Sequence, residues 1–126
     1  MSIADHTSYQ LYIRVARPLR LKIGALGELQ FPAGHYVYTG SARRNLAARI
    51  ARHRRRDKPR HWHIDYLVAD PAAVIERVAT AARAECDWSQ ATAGRVLHPG
   101  FGASDCRAGC GGHLKWLGPG TPPAVF

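Results

Sequence analysis

Gly34-His35-Tyr36-Val37-Tyr38-Thr39-Gly40-Ser41 is the stretch on which the fold turns. The alternating aromatic and β-branched residues predict a strand over His35–Thr39. Gly40 reads as a tight turn. The chain then enters a strongly basic segment, and Leu46, Ile50 and His53 at helical spacing predict a helix from Asn45 to Arg56. Arg49 and His53 are four residues apart, so a helix places them on one face. A phenol from Tyr38, a guanidinium and an imidazole would then converge on one polar pocket. Those groups suit phosphodiester chemistry, in which a proton is moved and a phosphate is held.

Upstream, Tyr9–Val15 alternates strongly and is rich in strand formers, and Arg17-Pro18 breaks it. Leu19–Ile23 alternates again, Gly24–Gly27 turns it, and Glu28–Phe31 is a short third strand before the turn Pro32-Ala33-Gly34. The expectation is an antiparallel meander whose outer strands pair. Downstream, Asp57-Lys58-Pro59 ends the helix. His61-Trp62-His63-Ile64-Asp65-Tyr66-Leu67-Val68 is aromatic and β-branched and reads as a strand. Asp70-Pro71 reads as an N-cap and a first-turn proline. The residues after it form either a short helix or crossover, or a strand over Val74–Ala79. Ala84–Gly94 is alanine-rich and predicts a helix starting near Glu85. Gly100–Gly112 holds five glycines in thirteen residues and reads as a tight loop. His113–Leu117 reads as a closing strand, and 118–126 as a frayed tail.

A chain of 126 residues with 46% hydrophobic residues fits one α+β domain over 1–126 with its own core. No apolar run approaches a membrane span, so no membrane partner is expected. The polar start of the chain lacks a signal h-region, which points to the cytoplasm. The formal net charge is +9. Much of that excess lies in Arg43–Arg60, with nine basic residues besides His53 and one acid, Asp57. Arg43, Arg44, Arg52, Arg54, Arg55, Arg56, Lys58 and Arg60 therefore point to a polyanion, for which the arginine fork is well shaped. The alternative is a solvated helix face that only aids solubility.

Read as a strand, the segment at 61–68 puts His61, His63 and Asp65 on one face, where they would bind a phosphate or a metal, or serve as hydrogen-bonded core groups. Trp62, Ile64 and Tyr66 read as core. Three cysteines argue against a disulfide framework. Cys106, Cys110 and His113 offer soft ligands in a glycine-rich loop, with Cys86 or His98 as a fourth ligand for a structural zinc. The spacing is not that of a paired CxxC site, and a tight loop with buried thiols is the other reading.

Tyr38-Thr39-Gly40, followed by Arg49 and His53, resembles the second half of the GIY-YIG nuclease signature. The resemblance is closer to one branch of that superfamily. It is carried by Gly34–Ala42, His61–Leu67, Glu85-Cys86 and Gly100–Cys106. That branch is long described as a domain of unknown function, and its members occur alone or fused to endonuclease III-like DNA glycosylases. The resemblance implies a small antiparallel or mixed sheet flanked by helices, with the strands around Leu21 and Leu29 as an extra N-terminal hairpin. It implies Tyr9 as the first signature tyrosine, Arg49 as the essential arginine and His53 one turn later. It implies Glu85 as the carboxylate that binds Mg²⁺ or Mn²⁺. The implied activity is a metal-dependent endonuclease of low sequence specificity acting on DNA, or less readily RNA, with a place in DNA repair. A non-catalytic nucleic-acid-binding module that keeps the same fold is the alternative. Oligomeric state is left open. Each residue also has a plain structural reading: Tyr38 as a strand aromatic, Arg49 as a surface arginine, Glu85 as a carboxylate facing a helix dipole.

Overall fold

A computed structural model describes residues 6–42, 44–55, 58–60, 62–101 and 112–119. The elements run β1 (Ser8–Val15), β2 (Leu19–Lys22), β3 (Glu28–Phe31), β4 (Gly34–Ser41), α1 (Leu46–Arg54), α2 (His63–Val68), β5 (Ala73–Ala81), α3 (Glu85–Ala91) and β6 (Leu114–Gly118). Four strands form one antiparallel sheet in the order β5-β1-β4-β6. The β2-β3 hairpin forms its own two-stranded sheet, inserted between the paired strands β1 and β4. The outer strands of the expected meander do pair, and β2 and β3 form the extra hairpin around Leu21 and Leu29.

The periodicity of β1 explains the layers. Tyr9, Leu11, Ile13 and Val15 are all buried on one face. There they meet Tyr36 and Tyr38 of β4, Leu46 of α1, and Ile64, Leu67 and Val68 of α2. Side chains alternate across a strand, so Ser8, Gln10 and Tyr12 face the other side. Gln10 is also buried, because Nε2 donates to Thr39 Oγ1 at 3.2 Å and to Thr92 Oγ1 at 2.7 Å, just past α3.

Three local readings are corrected. The segment expected as a strand at 61–68 is the helix α2. Its first turn is fixed by Asp65, whose Oδ2 accepts from the Trp62 backbone N–H at 3.0 Å. That bond and the docking of Ile64 and Leu67 outweigh the strand preference of the aromatic and branched residues. Asp70-Pro71 starts no helix. Asp70 Oδ1 accepts from Ala72 N at 2.9 Å in an Asx-type turn that feeds β5, the strand alternative. Gly40 lies inside β4 opposite Tyr9, not in a turn. A Cβ there would fall 2.5 Å from the Tyr9 ring, so the glycine makes room for the phenol to lie across the neighbouring strand.

Two lysines close helix ends. Lys58 is buried, and its ammonium donates to the carbonyls of Arg52 and His53, both at 3.0 Å, and to that of Arg55. Lys115 does the same for Ser89 and Thr92 at the end of α3, the latter at 2.7 Å. These are the carbonyls a helix leaves unpaired, and a cation there also opposes the negative end of the dipole.

Candidate active site

The candidate site forms where β1, β4, α1, α3 and the start of β6 meet. Register alone sets the two tyrosines together: Tyr9 pairs with Gly40, and Tyr38 is two residues back on the same strand. Their rings lie 6.4 Å apart. His53 reaches them from the last turn of α1, with its ring centroid 5.2 Å from Tyr9 and 6.2 Å from Tyr38. The Tyr9 hydroxyl and His53 Nε2 share a buried hydrogen bond of 2.6 Å. His53 Nδ1 has no hydrogen-bond partner among the described residues. The ring also lines a cavity of about 140 Å³.

Arg49 sits one turn before His53. Its Nη1 donates to the Ser41 carbonyl at 3.1 Å, and its guanidinium lies 4.4 Å over the Trp62 ring. Glu85, at the start of α3, contacts His113 Nδ1 and also takes a hydrogen bond from the Ser41 side chain. Arg49 and Glu85 therefore meet on the two polar groups of one residue, Ser41. His113 Nε2 lies 3.8 Å from Cys86 Sγ, so this imidazole bridges the acid and the thiol.

Burial sets the protonation states. Desolvation raises the Tyr9 phenol well above its ordinary value, and the Arg49 charge and hydrogen bond only partly offset it. Tyr38 is raised the same way, first by burial and then by the neighbouring Tyr9. His53 is lowered to about 4 by burial, with Lys58, Arg52 and Arg49 adding to the effect and Asp65 opposing it. The imidazole is thus neutral at neutral pH and supplies no positive field. Among the described residues only Arg49 favours a phenolate at Tyr9. Burial would raise the Glu85 carboxyl, but His113, Ser41 and Arg49 together outweigh it and hold the group below its usual value. Glu85 is therefore an anion at neutral pH.

The basic block divides in two. Arg52 forms a two-pronged ion pair with the fully buried Asp65, at 2.9 and 3.0 Å, and also donates to the Pro59 carbonyl. Its guanidinium lies 4.3 Å over Trp62. Arg52 and Lys58 are therefore engaged within the fold. Arg44, Arg54, Arg55 and Arg60 are exposed. His63 is half-buried and packs its ring 5.5 Å from Phe101. Arg43, Arg56, His61, Cys106 and Cys110 lie outside the described residues. His98 places Nε2 2.5 Å from the Gln30 carbonyl and stacks edge-on against Phe31.

Sequence reasoning missed Trp62, Ser41 and the Glu85 contact of His113 as parts of this site. Asp65 was read as one face of a phosphate- or metal-binding strand, whereas it pairs with Arg52 and caps α2. Ser41 carried only its adjacency to Gly40. Trp62 was assigned to the core, where it is half-buried, but its ring also holds two arginines.

Among the described residues no three His, Cys, Asp or Glu side chains cluster as a metal cage. The donor set nonetheless suits a hard, hydrated cation. Glu85 is one ionised carboxylate at a partly open position, and Mg²⁺ commonly binds through one carboxylate while keeping several waters. No described helix is long and apolar enough to cross a membrane. No curated protein and no solved structure matches the chain. The family described as domain of unknown function DUF123 matches residues 8–123, and the chain belongs to that family.

Proposed function

We propose that the chain is a GIY-YIG-type, metal-dependent endonuclease that hydrolyses phosphodiester bonds of DNA or RNA with low sequence specificity. One observation carries this reading: an ionised carboxylate and a guanidinium converge on Ser41 beside a buried tyrosine–histidine pair. Structural ion pairs do not need a neutral base and a phenol aimed at each other in the same place.

In this reading Glu85 would hold Mg²⁺ or Mn²⁺, and the ion would supply stabilisation of the negative charge that develops on the leaving oxygen. Arg49 binds the scissile phosphate and opposes the negative charge that grows on it. Stacking on Trp62 and the bond to Ser41 fix its direction before substrate arrives. Tyr9 donates its hydroxyl proton to neutral His53 Nε2 as it takes a proton from the attacking water. A preformed phenolate is disfavoured by burial, so the two transfers run together along the 2.6 Å contact. The exposed arginines around α1 hold the flanking backbone without reading bases. The cytoplasm and a repair role are consistent with this activity.

The test is a cleavage panel on labelled single-stranded, duplex, flap and RNA substrates with Mg²⁺, Mn²⁺ or EDTA. Cleavage should require the metal and fall by about 10²- to 10³-fold in Arg49→Ala and Glu85→Gln, with circular dichroism unchanged. Tight, salt-sensitive binding with no cleavage of any substrate would leave a non-catalytic module. Cleavage that survives in Glu85→Gln would remove Glu85 as the metal residue.

A further inference from the structure

A second recess lies on the face of β1 away from the tyrosine–histidine pair. Its volume is about 440 Å³ and it is bounded by β1, β5, α3 and the end of β6. That size falls within the range of sites that enclose small organic ligands. Its floor is a fixed polar chain: the Tyr12 hydroxyl donates to Gln10 Oε1 at 2.7 Å, and Gln10 donates on to Thr92 and Thr39. Trp88 of α3 and Leu117 of β6 line it with apolar surface. Two exposed arginines, Arg77 and Arg83, complete its lining, and the Arg77 guanidinium lies 5.2 Å over the Tyr12 ring.

A ligand for this recess needs a flat apolar body and an attached anion. An acidic peptide would meet the arginines and leave the Trp88 surface uncovered, whereas a nucleobase stacks on aromatic and guanidinium surfaces and its phosphate takes an arginine fork. The recess also adjoins the candidate active site through shared elements. Tyr9 and Gln10 are successive residues on opposite faces of β1, and Glu85 and Trp88 are one turn apart on α3. We infer that this recess is a nucleotide subsite that takes one unpaired base, with its phosphate on Arg77 and Arg83. The inference rests on the nucleic-acid reading above and deepens it: a site that needs an unpaired base favours single strands and flaps over intact duplex.

The test is fluorescence-anisotropy binding in EDTA, so its outcome does not depend on whether the chain cleaves. The probes are a fluorescein-labelled single-stranded oligonucleotide, the same sequence as duplex, an abasic strand of equal length, and dAMP by calorimetry. The paired change Arg77→Gln with Arg83→Gln should weaken single-strand binding about tenfold. The charge-matched pair Arg17→Gln with Arg20→Gln should cost less than about threefold. Trp88→Leu should erase the preference for the normal strand over the abasic one. Saturable dAMP binding that is lost in the Arg77/Arg83 pair supports the site. Tighter binding of the strand than of dAMP identifies the strand as its ligand, and equal affinity identifies the free nucleotide. The inference is overturned if the Arg77/Arg83 pair behaves like the control pair, or if duplex binding falls as much as single-strand binding.

Discussion

Two sets of cations on and around α1 are chemically alike and physically opposite. The inner set, Arg49 and Arg52, lies over Trp62 and is held by Ser41 and Asp65. The outer set, Arg44, Arg54, Arg55 and Arg60, is exposed. The inner guanidiniums are positioned by neighbours, and they shift the protonation of His53, Tyr9 and Glu85. In the proposed function the outer ones act through summed charge, so any one of them is replaceable. A run of arginines in a sequence therefore holds two structurally different sets, and tertiary contacts separate them.

The sharpest break in that contrast is Asp65→Ala. It would strip Arg52 of its buried partner and remove the acceptor at the Trp62 end of α2. Breaking one side of a buried pair costs about 3–5 kcal/mol, against at most ~0.5 kcal/mol for Arg54→Ala on the exposed face. Chemical denaturation of the two variants side by side measures the difference. If Asp65→Ala costs no more than Arg54→Ala, Arg52 belongs with the outer set.

The same division explains what the sequence disclosed. Periodicity gave β1, β3 and the pairing of β1 with β4, because strand patterns are local and the hairpin between them is bounded by glycine and proline. Glu85 was legible as a helix start and lies at the first residue of α3. His63–Val68 was not legible as a helix: six residues carry too little periodic signal, and what stabilises the turn is a carboxylate whose partner, Arg52, is 13 residues away. The Tyr9–His53 bond spans 44 residues, and no spacing rule reaches that far. Arg52 and Lys58 looked like phosphate ligands because composition cannot show that their charges are already engaged.

A second break uses pH. Burial lowers His53 to about 4 in the fold, against about 6.5 in the unfolded chain. Below 6.5 the unfolded chain takes up a proton that the folded chain refuses, so stability falls as pH drops from 6.5 toward 4. At pH 5 the loss from this residue is about 2 kcal/mol relative to neutral pH. Glu85 acts in a lower window, since its depressed carboxyl stabilises the fold above its unfolded value and loses that contribution only as pH falls further. Denaturation curves at pH 7 and pH 5 should therefore differ in the parent protein and nearly coincide in His53→Gln. Equal losses in both proteins would show that His53 is charged in the fold and that Tyr9 lacks a neutral acceptor.

The smallest effect sharpens the outer side of the contrast. Arg54→Gln and Arg55→Gln should each lower the salt slope of nucleic-acid binding by about 1, with the same loss for every base sequence tested. Arg49→Lys should leave that slope nearly unchanged, because charge is kept while the fork on Ser41 and the stacking on Trp62 are lost. Binding titrations over a range of salt concentrations separate the two outcomes. Arg49→Lys should nevertheless lose cleavage, and if it cleaves as fast as the parent, charge alone suffices there and Arg49 acts as one more diffuse cation. Its convergence with Glu85 would then carry no chemistry.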